Sequence, residues 1–280
     1  MIIFEEYGFT QNDLTARAEQ IRNIQLNATE KRELIGKILG HVDLTTLEGN
    51  DTDEKISSLC RYALSLQDAD AGRGTVAAVC IYMPFISLAR KLLENATVEV
   101  ATVAGGFPSG QLPAHLKVQE VIFAVREGAD EVDVVISRSL ALTEKWNELR
   151  EEIAQMKAAC GKTRMKVILE TGELEKVATI RKACEAALLG GADFLKTSTG
   201  KIKPAATPEA FLIMLDTIRE YHQKTGKMIG IKPAGGIAEP DDALHYYLMV
   251  KEVLGDAWLN KTYFRIGASR LVGKILESLG

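Results

Sequence analysis

Eight short apolar runs, separated by longer amphipathic stretches, limit what this chain can fold into more than any other feature of it. The runs are HVDLTTL (41–47), VAAVCIY (76–82), VEVATVA (98–104), DEVDVVIS (130–137), KVILETG (166–172), ADFLKTS (192–198), MIGIKPAGG (228–236) and YFRIGAS (263–269). Between them lie stretches such as HLKVQEVIFAVREG, TEKWNELREEIAQMKAAC and TPEAFLIMLDTIREYHQKTG. In the second, Trp146, Leu149, Ile153 and Met156 recur at helical spacing. Strands alternating with helices build βαβ units around a parallel sheet. Eight such units in the ~240 residues after residue 40 fit a (β/α)8 TIM barrel, an α/β fold of about 250 residues. An open doubly wound sheet is the runner-up. It would carry a glycine-rich turn after its first strand, and TTLEGNDTDEK is no such fingerprint. The expectation is a single barrel over residues 41–280 and an N-terminal helical extension over residues 1–40. Within the extension, NATEKRELIGKIL reads as a capped helix beginning near Asn27 or Thr29.

Composition removes several classes of function. A formal net charge of −4, with no block of like charges, argues against nucleic acid as the main partner, which would need a basic stripe. A small anionic substrate needs only a local positive pocket. Cys60, Cys80, Cys160 and Cys184 form no CxxC and no disulfide-like framework, so reduced, packed thiols in a cytoplasmic protein are expected. His41, His115, His222 and His245 form no HxH or HExxH, so a protein-built zinc site is not expected. No apolar run reaches the ~18 residues of a membrane span. The first residues, MIIFEEYGFT, are acidic where a signal peptide would be basic.

In a barrel of this kind the active site lies at the C-terminal ends of the strands. Strand alternation then sorts side chains into inward and outward sets. Phe194, Lys196 and Ser198 share one side of the sixth strand, and Gly230, Lys232 and Ala234 one side of the seventh. Glu131, Asp133 and Val135 share a side in the fourth strand, and Lys166, Ile168 and Glu170 in the fifth. If the polar sets face inward, Lys196, Lys232 and Asp133 converge near the top, with Lys166 and Glu170 as a candidate structural pair in the same cavity. A lone lysine at a strand end is more often solvated or half of an ion pair. Three ionisable groups at matching heights argue instead for chemistry. A lysine amine is nucleophilic only when neutral, and its ordinary pKa is about 10.4. Burial and a second ammonium nearby disfavour the charged form. The neutral amine can then attack a carbonyl to form a Schiff base, while a carboxylate and the other lysine relay protons.

The late loops point to an anion. STGK (198–201), AGG (234–236) and GAS (267–269) each follow a strand, and small residues let backbone N–H groups approach a phosphate. Barrel phosphate sites often use the loops after strands seven and eight. Three neighbouring loops of this kind favour a phosphorylated substrate.

Taken in order, DLTTL, EVDVVI, ETGEL, DFLKTSTGK, KPAGG and RIGAS resemble the deoxyribose-phosphate aldolases, class I aldolases on a TIM barrel. The resemblance runs from about residue 41 to residue 275, and KTSTGK followed some 30 residues later by KPAGG is its most specific part. VAGGFPSGQ and SRSLALTEKWNEL are closer to the longer, eukaryote-like branch. The resemblance implies reversible cleavage of 2-deoxy-D-ribose 5-phosphate to D-glyceraldehyde 3-phosphate and acetaldehyde, in a cytoplasmic enzyme, commonly a homodimer. It implies that Lys196 is the Schiff-base lysine, that Lys232 depresses its pKa and helps to shuttle protons, and that Asp133 moves protons through a water. Asp43, Cys80 and Thr199 would contact the substrate, and Gly200, Lys201, Gly235, Gly236 and Ser269 would hold the phosphate. No metal and no cofactor are implied, because the iminium is the electron sink.

Three departures stand out. The run CIYMPF puts Pro84 one place later than many members do, which implies a shifted loop after Cys80. GASR replaces GASS or GAST, so Arg270 either strengthens phosphate binding or points to solvent. ESLG stands where some members carry a tail ending in tyrosine, so any help from such a tail is missing or supplied by another residue. Two other readings stay open at this point: another Schiff-base sugar-phosphate aldolase of the transaldolase kind, and a non-catalytic phosphate-binding barrel.

Overall fold

The structure, a computed structural model, describes residues 2–68 and 74–280. Seven of the apolar runs contain a strand and the fifth overlaps one that starts two residues earlier: β1 Val42–Thr45, β2 Ala78–Ile81, β3 Glu99–Ala104, β4 Glu131–Val135, β5 Arg164–Ile168, β6 Phe194–Lys196, β7 Gly230–Lys232 and β8 Ile266–Ala268. Neighbours pair in parallel in chain order from β1 to β7, and β8 lies beside β1. Parallel bridges Ile231–Phe264 and Ala234–Gly267 join the β7 and β8 segments and close the sheet. The fold is a (β/α)8 TIM barrel, not an open doubly wound sheet.

The register sets the heights of the polar residues. Asp133 lies opposite Lys166, Ile168 opposite Lys196, and Lys196 opposite Lys232. Outward strand residues such as Val79, Val100, Val132, Val167, Leu195 and Ile231 are buried under the surrounding helices and form one large apolar core. That burial, at roughly 25 cal/mol per Å² of apolar surface, is the main force holding the wall together. The inward faces are divided. On the β2–β3 side Ala78, Cys80, Ala101 and Val103 make a small apolar cluster with Leu47. Elsewhere the interior is mostly ionic, as described below, with the Phe194 ring against Lys166 and Gly230.

The N-terminal extension consists of two helices, α1 (Gln11–Arg22) and α2 (Ala28–Ile38). Asn27 caps α2: its side chain accepts the Glu30 N–H at 3.0 Å, and the Glu30 carboxylate accepts the Asn27 N–H at 2.9 Å. Such a reciprocal box satisfies two backbone donors that would otherwise lack helical partners. α1 packs on helices Pro208–Thr225 and Pro240–Leu254, and α2 on Pro240–Leu254 and Leu271–Leu279. Leu14, Ala18, Ile21, Ile35 and Ile38 join the same core as the barrel wall. Arg17 fixes α1 to the wall through Asp216 at 2.7 Å. Among the described residues, no helix is long and apolar enough to cross a membrane.

Candidate active site

Each of four strands from β4 to β7 contributes at least one cation or carboxylate to the barrel interior, and they meet at Asp133. One oxygen of Asp133 accepts hydrogen bonds from Lys196 at 2.7 Å and from Lys232 at 2.8 Å. The other accepts from Lys166 at 2.9 Å. Lys232 also donates to Asp43, and Lys166 to Glu131. Below these, Arg265 joins Asp43, Glu131 and Glu99, and Arg164 joins Glu131 and Glu99. The result, among the described residues, is one connected network of four carboxylates (Asp43, Glu99, Glu131, Asp133) and five cations (Arg164, Lys166, Lys196, Lys232, Arg265). Buried charges persist when paired in this way. The numbers do not match: with every group ionised, one positive charge is in surplus.

The protonation balance follows that surplus. Burial would raise the Asp133 carboxyl, but the ammoniums of Lys166, Lys196 and Lys232 outweigh it and hold the group well below the usual carboxylate range. Asp43 and Glu131 are held low in the same way, Asp43 mainly by Lys232 and Arg265, Glu131 mainly by Lys166 and Arg265. Burial would also lower the pKa of Lys232, but the Asp133 and Asp43 carboxylates reverse this and push it up. Lys166 is likewise raised by Asp133 and Glu131 against its burial. Arg164 and Arg265 are held up by their carboxylates too. Of the five cations only Lys196 is lowered: burial is the largest cause, Lys232 adds to it, and Asp133 opposes it. Burial and the neighbouring ammonium, the two causes expected from the sequence, thus both act on Lys196, burial the more strongly.

Lys196 also has the right position. A cavity of about 270 Å³ opens above the network and is lined by Lys196, Thr199, Gly200, Lys201, Gly235, Gly236, Ser269 and Arg270 among others. Lys166 and Lys232 do not line it. Helix Leu271–Leu279 begins at the rim, directly after Arg270. Gly235 has φ +85, and a Cβ there would lie 2.6 Å from the Ala205 Cβ and 2.9 Å from the Gly200 Cα. Only glycine lets the two loops meet so closely. Thr197 ties the end of β6 to the β7 loop, its hydroxyl accepting the Ala234 N–H at 3.0 Å.

The other expected residues fall in different places. Thr199, Gly200, Lys201, Gly235, Gly236 and Ser269 all line the cavity. Asp43 does not; it is fully buried, with one oxygen on Lys232 and the other on Arg265 at 2.7 Å. Cys80 is buried in the small apolar cluster, where burial pushes its thiol pKa up. Lys166 and Glu170 are not a pair. Glu170 has φ 57 and turns its carboxylate to the Lys196 loop, accepting from the Thr199 N–H at 3.2 Å and from the Thr199 hydroxyl. Pro84 sits in a short 3-10 turn, Met83–Phe85, preceded by Tyr82, which packs edge-on against Phe107. Arg270 is exposed at the cavity rim.

Sequence reasoning missed Glu131 and Arg265 as network members, and Glu48, which pairs with Lys201 at 2.9 Å. The first two follow the same strand alternation as Asp133 and Gly267 and could have been found by extending it. Glu48 lies in a loop and carries no comparable signal.

Comparison with known proteins gives a consistent result. The family model described as DeoC/LacD family aldolase matches residues 37–251. The deoxyribose-phosphate aldolase of Homo sapiens is 44% identical over 276 residues, covering 92% of this chain and 85% of that one. The enzyme of the same name from Mus musculus is 41% identical over 273 residues, with coverage of 92% and 85%. Among solved structures, QR15, an aldolase, is 28% identical with a TM-score of 0.67, over 86% of this chain and 96% of its own. The tetrameric deoxyribose phosphate aldolase of Aeropyrum pernix, 24% identical with a TM-score of 0.67 over 96% and 97%, shares the fold. With a family match across most of the barrel and relatives above 40% identity along most of its length, this chain belongs to the DeoC/LacD family of aldolases.

Proposed function

We propose that this aldolase reversibly cleaves 2-deoxy-D-ribose 5-phosphate to D-glyceraldehyde 3-phosphate and acetaldehyde through a Schiff base on Lys196. The observation that carries the reading is the position of Lys196. It is the one cation of the network whose pKa falls, and the one network lysine at the floor of the cavity. The glycine-lined loops and Lys201 line the same cavity, and there the phosphate would sit.

The chemistry balances with these groups alone. Neutral Lys196 attacks C1 of the open-chain sugar, and loss of water gives the iminium. Removal of the C3 hydroxyl proton breaks the C2–C3 bond and releases glyceraldehyde 3-phosphate, while the electron pair moves to C2 and leaves an enamine on Lys196. Protonation at C2 and addition of one water release acetaldehyde and return the amine. Asp133, hydrogen-bonded to both Lys196 and Lys232, is the group we assign to these proton movements, acting through a water; positioned acids and bases contribute about 10²–10⁴-fold. Lys232 is assigned the field that keeps Lys196 neutral, and Asp43 the counter-charge that holds Lys232 in place. Gly200, Lys201, Gly235, Gly236 and Ser269 are assigned to the phosphate. We further place the enzyme in the cytoplasm, in keeping with its four unpaired, buried cysteines, and as a homodimer, which light scattering reads directly.

Borohydride reduction in the presence of 2-deoxyribose 5-phosphate, followed by peptide mapping, tests the assignment. A reduced adduct on the Lys196 peptide, and its loss together with turnover in Lys196→Ala, is the expected result. An adduct elsewhere, or substantial turnover in Lys196→Ala, overturns it. Cleavage of longer ketose phosphates with none of deoxyribose 5-phosphate would favour a transaldolase-like enzyme instead.

A further inference from the structure

Glu48 has no part in the chemistry above, yet its side chain lines the cavity together with Lys201 and Arg270. The Lys201 ammonium donates to the Glu48 carboxylate at 2.9 Å, joining the β1 loop to the β6 loop across the mouth. Both loops are braced independently of this pair. On the β1 side, Asp51 accepts from the Thr46 hydroxyl at 2.8 Å, from the Glu48 N–H at 2.9 Å and from the Lys55 ammonium. On the β6 side, the Lys201 N–H donates to the Thr199 hydroxyl at 3.1 Å, and Thr199 is held by Glu170. The backbones are thus fixed without the ion pair. What the pair decides is where the Lys201 ammonium points.

We propose that Glu48 is a specificity-determining residue: its carboxylate holds Lys201 across the cavity mouth and must release it when a phosphate monoester enters. The inference rests on reading the cavity as a phosphate site. A phosphate dianion offers more charge and three acceptor oxygens, so it displaces a single carboxylate from Lys201. A neutral sugar gives Lys201 no reason to leave Glu48. The latch therefore costs phosphate affinity. Glu48 is more than half exposed, and exposed pairs contribute modestly, so the cost corresponds to about two- to fivefold in binding.

The test titrates inorganic phosphate into the full chain by calorimetry, in wild type, Glu48→Gln, Lys201→Met and the double variant. Glu48→Gln is expected to bind phosphate two- to fivefold tighter, and this gain is expected to vanish in the Lys201→Met background. In steady-state assays its KM for 2-deoxyribose 5-phosphate falls by the same factor, while KM for unphosphorylated 2-deoxyribose does not follow. Phosphate binding that is unchanged or weaker in Glu48→Gln, or a gain that persists without Lys201, overturns the latch. If phosphate tightens as expected but no variant cleaves deoxyribose 5-phosphate, the latch stands and the aldolase substrate reading falls. If the wild type binds no phosphate at all, the latch falls, and turnover of 2-deoxyribose 5-phosphate decides the aldolase reading separately.

Discussion

Replacing Lys232 with methionine removes one of the five cations and leaves a network in which four face four. Charge balance is then met only if Lys196 keeps its proton, so the variant should lose its neutral nucleophile. The size of the effect can be worked from the geometry. Lys196 and Lys232 reach the same Asp133 oxygen at 2.7 and 2.8 Å, which places their nitrogens roughly 5 Å apart. At that separation, with an effective dielectric constant of about 20, two like charges repel by about 3 kcal/mol. Each ~1.4 kcal/mol is a factor of ten in a protonation equilibrium. The repulsion is thus worth about 100-fold in the neutral fraction of Lys196, and the freed Asp133 oxygen acts in the same direction. Asp43 keeps Arg265 as a partner, so no carboxylate is orphaned. The assay is kcat/KM for 2-deoxyribose 5-phosphate across pH 6 to 9.5, alongside thermal melts. A loss of about 100-fold at pH 7 that recovers as pH rises is the expected pattern. A loss of equal size at every pH would refute the reasoning, because Lys232 would then act by transferring protons rather than through its field.

Three other perturbations probe different parts of the structure. Asp133→Asn leaves Lys196 in the cavity but removes the shared acceptor; borohydride trapping at Lys196 should survive while kcat falls about 10²–10⁴-fold, read by comparing trapping with turnover. His41 is buried against the Phe264 carbonyl, and burial pulls its pKa down to about 4. Since the unfolded imidazole titrates near 6.5, the unfolded chain binds more protons between those values, so stability is present above about pH 6.5 and is lost as pH falls toward 4. The loss attributable to His41 reaches about 3 kcal/mol, and His41→Gln should flatten the pH dependence of denaturant unfolding over that window. Gly235→Ala forces a Cβ into Ala205 and the Gly200 backbone at a positive φ; a loss of about 1–3 kcal/mol in stability and a clear weakening of phosphate binding are expected from melts and calorimetry.

Much of this was legible in the chain because strand alternation has a fixed period. Lys196, Lys232 and Asp133 share the inward side of their strands; the register pairs Lys196 with Lys232, and both side chains reach the Asp133 carboxylate. The alternation fails where the strand ends. β5 stops at Ile168, and Glu170 takes a left-handed conformation, so it no longer points where Lys166 does. Height is the second thing a sequence does not carry, because it depends on how the strands stagger when the barrel closes. Asp43 points inward as alternation requires, but although its register partner Gly267 lines the cavity, its own carboxylate is buried against Lys232 and Arg265 and does not. The loops are least legible. Glu48 and Lys201 are 153 residues apart, and nothing local to either names the other.

The cost of the network shows what it is for. Barrel interiors are usually filled by layers of branched apolar side chains, and a buried ion pair is often no more stabilising than such a filling. Here the β2–β3 side is filled that way, by Ala78, Cys80, Ala101 and Val103, while the remainder holds nine ionisable groups. A network built only for stability would match its charges. The surplus cation falls on Lys196, the member that reaches the cavity and can give its proton away. On the proposed mechanism the lost charge returns when the amine becomes an iminium at the same place. Asp133, which opposes the deprotonation of Lys196, then lies beside the new cation and stabilises it. One carboxylate thus sets both halves of the cycle: it limits how readily the nucleophile is freed, and it holds the charge that the bond cleavage needs.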